Sequence, residues 1–204
     1  METNQATAEP RIVPAIAVEG TATGMIMMAV FTTMWAGVAY SGMQAPYSYV
    51  LIIFPALALY FAINAVKLFK SAKYHPALTD EADIARGKKQ GKWFGIIFGA
   101  EGLGIFIAIN LVVNLGYPDL TVSAVALVVG LHFYPLAKVF RRTIDYYLAT
   151  WSTLIAILGF VFILNNTYNT QVVNAFVGVG LALATSCYGL YMISAANKFV
   201  KPMI

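Results

Sequence analysis

Six stretches of this chain stay apolar for about 20 residues at a time, and this constrains its fold more than any other feature. At about 1.5 Å of rise per residue, a helix of that length covers the roughly 30 Å of hydrocarbon in a bilayer. The stretches run Thr21–Gly42, Tyr47–Leu68, Trp93–Leu115, Leu120–Phe140, Tyr146–Leu164 and Val172–Ala196. They lack the apolar-polar alternation of an outer-membrane barrel and are too long for its strands. The expected fold is therefore all-α, a polytopic membrane protein of six transmembrane helices. Residues 1–20 read as a polar tail and interfacial segment, and 21–204 as one membrane domain. Composition agrees, with 60% hydrophobic and 11% charged residues, against about 45–50% and about 25% in soluble domains.

The connections differ in charge. Gln44-Ala45-Pro46, Gly116-Tyr117-Pro118-Asp119 and Asn165-Asn166-Thr167 offer turn chemistry and no basic residue. Lys and Arg fall instead before the first span (Arg11), around the second connection (Lys67, Lys70, Lys73, Arg86, Lys88, Lys89, Lys92), around the fourth (Lys138, Arg141, Arg142) and at the C-terminus (Lys198, Lys201). These are all 13 basic residues, and the positive-inside bias puts both termini and both basic loops in the cytoplasm. An even number of spans is required for that arrangement. The net charge of +4 is then a topological address, and nucleic-acid binding is not expected.

Residues 70–92 read as the one sizeable polar loop, with a short interfacial helix between Thr79 and Arg86 capped by Thr79, Asp80 and Glu81. Its Arg86–Lys92 cluster suits anionic lipid headgroups. Trp93, Tyr146 and Tyr147 sit where an inner interface would place them, and Tyr47, Tyr49, Tyr117 and Tyr168 where an outer one would. Glu2 and Glu9 occupy the N-terminal tail, which lacks the positive n-region of a secretory signal, so no cleavage is expected. Pro14 suggests a bend, and Pro55 and Pro135 suggest interruptions that free the carbonyls of Leu51 and Leu131.

Three segments at the basic ends of even-numbered spans resemble one another: residues 65–70, 136–141 and 196–201. Glu19-Gly20 and Glu101-Gly102 form a matching pair on odd-numbered spans. Three duplicated hairpins around a pseudo-threefold centre would explain this, as would snorkelling at any cytoplasmic helix end. A three-plus-three inverted repeat is the competing plan.

Ionisable groups inside a span cost about 2.5–3.5 kcal/mol even on the lenient insertion scale, so each is a candidate for function. Glu101 lies nine residues beyond Lys92 and His132 six before Lys138, at depths of roughly 13 Å and 9 Å from the basic edge. They stand on consecutive antiparallel spans at similar heights. A Glu and a His in such a place can share one proton, which suits proton relay or ligand binding, or they can simply hydrogen-bond across the bundle. Glu19 joins this site only if the hairpins repeat. Asn110 and Asn114 are one turn apart on the third span, and Asn110 is turned by about 180° from Glu101. They are candidates for lining a cavity or for packing.

Other features read structurally. Arg141, Arg142 and Asp145 suggest a topology signal with a local ion pair, and Asp80, Glu81 and Asp83 a solvated face. Gly95, Gly99 and Gly102 on the third span, and Gly178, Gly180, Ala182, Ala184 and Gly189 on the sixth, suggest close helix packing or a homo-oligomer contact. With one cysteine, Cys187, and two histidines, His75 and His132, no metal centre or cofactor is expected. No nucleophile with a base, phosphate loop or catalytic carboxylate pair is visible, so an enzyme is not expected.

Glu101-Gly102 and the run Gly130-Leu131-His132-Phe133-Tyr134-Pro135-Leu136-Ala137-Lys138-Val139-Phe140-Arg141 resemble those of a group of small bacterial multi-spanning membrane proteins of unknown function with a G-L-H-F-x-P-L-A-x-x-F motif. The resemblance covers mainly the third and fourth spans. It implies a bacterial inner membrane and adds weight to Glu101 and His132, without an activity. The three-hairpin plan is also similar to that of small acid-resistance membrane proteins, an architectural analogy. The expectation is a small transporter or channel-like protein in which the two residues line a polar cavity opening inward. The alternative is a non-catalytic accessory or stress-response component binding a protein partner or lipid.

Overall fold

Each apolar stretch is a helix in the computed structural model, which describes residues 13–43 and 47–199. In chain order they are α1 (Ala15–Gly42), α2 (Ile53–Ala72), α3 (Glu81–Asn114), α4 (Thr121–Phe140), α5 (Thr143–Leu164) and α6 (Thr170–Ala196). Short 3-10 turns over Tyr47–Ile52 and Pro118–Leu120 lead into α2 and α4, and no strand occurs among the described residues. All six helical segments are long and apolar enough to cross a bilayer. Val30, Leu59, Leu103, Phe106 and Leu154 are among many large apolar side chains facing outward. A water-soluble monomer does not carry so extensive an apolar exterior, whereas lipid accommodates it. The chain is a multi-pass, all-α membrane protein. The expected tail signals, Arg11, the turn at 44–46 and Lys201 lie outside the described residues.

Helix ends follow local chemistry. The expected polar loop at 70–92 is mostly helix: α3 starts at Glu81 and runs 34 residues without a break. Asp80 caps it by accepting from the Asp83 N–H at 3.0 Å, and Glu81 and Asp83 put acids in the first turn. Favourable ends and good helix formers such as Ala85, Arg86, Lys88 and Lys89 outweigh Gly87 and Gly91. Pro14 occupies the N-cap of α1. Pro55 falls in the first turn of α2, directly after the 3-10 turn that ends at Ile52, and has no N–H to bond the Leu51 carbonyl four residues earlier. Pro135 alone lies inside a helix. His75 Nδ1 lies 2.8 Å from the Val13 carbonyl, and the Ala15 N–H donates to Pro76 O, tying the start of α1 to the α2–α3 connection.

Packing runs in the order α2–α1–α6–α5–α4–α3, with α6 also touching α2 and α4. Small residues explain why α6 takes the middle: Gly178 sits against the backbone of Trp35 and Ala39, Gly180 against Ile155, and Gly189 against Phe61. Thr32 donates to Thr185 at 2.8 Å between α1 and α6, and Trp151 Nε1 to Gly180 O at 2.9 Å between α5 and α6. Each such inter-helix bond contributes about 0.6–2 kcal/mol in a membrane. The matching glycines of α3 do not behave this way. Gly95, Gly99 and Gly102 have no neighbour within 4 Å of an added Cβ, so their face points away from the bundle. The three hairpins are not packed alike either. α1 lies along α6 and α4 along α5, but consecutive α2 and α3 have no comparable contact.

Candidate functional site

The two ionisable residues inside the spans meet where α3 packs on α4. Those helices turn back on each other through Gly116, whose φ of +84° is a glycine conformation, and the following turn Pro118–Leu120. The seam is held at several heights. Gln90 Nε2 donates to Val139 O at 3.3 Å near the basic end, and deeper in, the open side of Gly104 lies against Val128. Between these contacts His132 Nδ1 lies 3.3 Å from Glu101 Oε1, each side chain 9% exposed. At this distance the contact is an approach of the two polar groups that falls short of a hydrogen bond.

Rings surround the imidazole. Phe98 stands edge-on at 6.3 Å and Phe133 lies 4.1 Å away between ring centroids. Phe94 bridges from Phe98, at 5.2 Å, to Phe140, at 6.1 Å. Phe31 of α1 reaches Phe98 from the opposite side at 6.3 Å. Aromatic side chains therefore stand between the pair and the basic end of the bundle. Glu101 and His132 face each other.

The chemistry of this arrangement follows from charge balance. With one proton between them the two groups are together neutral, either as acid and imidazole or as carboxylate and imidazolium. Adding or removing a proton leaves a net charge in an apolar surround, which is unfavourable by several kcal/mol. Pro135, three residues beyond His132, lacks the N–H that would bond the Leu131 carbonyl. A spare acceptor thus lies next to the histidine in the chain.

The remaining sequence candidates are not brought to this site. Glu19 is exposed on the first turns of α1. Asn110 and Asn114 are exposed and donate to carbonyls of their own helix, Phe106 O at 2.7 Å and Asn110 O at 2.8 Å. Asn64 does the same with Tyr60 O. Asp145 is the residue that the sequence undervalued. No Arg142–Asp145 ion pair forms among the described residues. The Arg142 guanidinium donates instead to Tyr188 Oη at 2.9 Å, and the fully buried Asp145 carboxyl lies beside both, within reach of the Tyr188 hydroxyl. A first-turn acid at a helix start looks solvated in sequence. Only the packing of α6, which delivers Tyr188, buries it.

Among the described residues, no cluster of three or more His, Cys, Asp or Glu side chains could hold a metal ion. Comparisons with protein-family models, with curated proteins and with solved structures find no match to this chain.

Proposed function

We propose that this is a small transporter or channel-like protein of a bacterial cytoplasmic membrane, with both termini in the cytoplasm and the Glu101–His132 pair as its proton-binding element. The supporting observation is the 3.3 Å approach of two nearly buried ionisable side chains inside apolar helices. A well-packed apolar pair of similar volume would serve stability as well or better. A Glu–His pair in place of such an apolar pair therefore favours a role that needs a proton. The aromatic rings at Phe94, Phe98 and Phe140 form the gate that must move for that proton to exchange with the cytoplasmic side.

Proton flux tests this directly. In vesicles holding a pH-sensitive dye and clamped with valinomycin, the purified protein should accelerate dissipation of a pH gradient. Glu101→Gln should return the rate to that of protein-free vesicles while leaving the protein monodisperse. An unchanged rate in the Glu101→Gln protein, or no flux from the wild type with or without small organic anions and cations, would remove this function.

A second reading, an accessory component that binds a partner helix, is favoured by one observation: the glycines spaced by four on α3, Gly87, Gly91, Gly95 and Gly99, all face open space. Co-purification of a stoichiometric membrane partner would support it.

A further inference from the structure

Along the same α3/α4 seam, nearer the basic end than the aromatic rings, the two helices leave a groove of about 740 Å³. Arg86, Lys89 and Trp93 line it from α3, and Lys138 and Arg141 from the end of α4 and the residue after it. None of the residues lining it is acidic. The only described ion pair nearby is Arg86 with Asp83 at 3.1 Å, both well exposed, which leaves Lys89, Lys138 and Arg141 without a carboxylate partner among the described residues.

Topology alone asks for basic residues at this end of the bundle, but not for their convergence from two helices on one concavity. Two details show that the convergence is built. Gln90 bonds the Val139 carbonyl across the groove's floor, so the walls are held together. Arg141 ends α4 in a left-handed conformation, φ 54° and ψ 43°, where glycine is the usual residue. An arginine stands there despite the strain of that conformation for a residue with a side chain.

The geometry points to a binding site for a phosphate group in this groove, with Lys89, Lys138 and Arg141 as the charged contacts, Arg86 at the rim and Trp93 as an interfacial wall. Arginine's planar fork and the two ammonium groups match the tetrahedral oxygens of a phosphomonoester. The position of the groove at the end of two spanning helices puts it at headgroup depth. A phosphate there has two sources, the headgroup of an anionic lipid or a free phosphate compound in solution.

The test uses full-length protein in phosphatidylcholine nanodiscs. One arm adds a small fraction of phosphatidic acid, with diacylglycerol as the uncharged control, and reads retained lipid by native mass spectrometry. The other arm titrates inorganic phosphate and follows tryptophan fluorescence, with Trp93→Phe as the control that isolates the Trp93 contribution from Trp35 and Trp151. Loss of one contact near the surface should weaken binding about fivefold, and the Lys89→Gln/Lys138→Gln/Arg141→Gln protein by on the order of a hundredfold. Neutralising the same number of charges elsewhere at this end, Lys67→Gln/Lys70→Gln/Lys73→Gln, should leave binding intact. Lipid retention without a phosphate response identifies the headgroup, and the converse identifies a soluble ligand. Equal loss in the two triple variants, or saturable binding in neither arm, would overturn the site.

Discussion

Replacing His132 with leucine destabilises the helical bundle by about 3–5 kcal/mol, and adding Glu101→Leu in the same chain restores most of that loss. The single change leaves the Glu101 carboxyl buried without the imidazole that lies 3.3 Å away. The double change removes both polar groups and fills the seam between Phe98 and Phe133 with apolar volume. Unfolding measured in mixed micelles, with the four proteins arranged as a double-mutant cycle, reads the coupling. Simple addition of the two single losses would mean that the pair does not interact. Recovery of stability in a double variant that no longer moves protons would separate what holds the fold from what the fold is for.

The second large effect is at Gly178. An added Cβ there would sit 2.5 Å from the Ala39 amide nitrogen and 2.9 Å from the Trp35 carbonyl oxygen. Backbone cannot yield as a flexible side chain does. Gly178→Leu therefore pushes α1 off α6 and costs about 1–3 kcal/mol or more. Gly99→Leu meets open space and should leave stability within about 0.5 kcal/mol. Thermal unfolding of the two proteins in the same detergent checks the contrast. Equal losses would mean that α3 is as tightly covered as α6.

Both glycine patterns look the same in sequence, which shows where sequence reading ends. Apolar length fixes the number of helices because the bilayer sets one dimension, so all six spans were legible to within a few residues, apart from α1 and α3. α3 was cut short because its first dozen residues are polar. That composition distinguishes water from lipid, while the cap at Asp80 and the run of good formers decide helix against loop. Which face of a helix is covered depends on neighbours distant in the chain, and neither Gly99 nor Gly178 carries that information. Glu101 and His132 were legible for the opposite reason. A charge inside an apolar run is conspicuous at any packing, and a short turn between two antiparallel helices fixes equal depths. Asp145 was not, because its burial comes from Tyr188, 43 residues later in the chain. The equivalence of three hairpins suggested by their basic ends is likewise not seen in the packing, since helix ends report the membrane surface and not the neighbour.

A shared proton between Glu101 and His132 is most directly seen by infrared difference spectroscopy across a pH step, on protein reconstituted in lipid. A carboxyl C=O band should appear that is absent in Glu101→Gln, and its frequency and midpoint pH should both move in His132→Gln. A band indifferent to His132, or no Glu101-dependent band at any pH, would contradict a proton held jointly by the two residues.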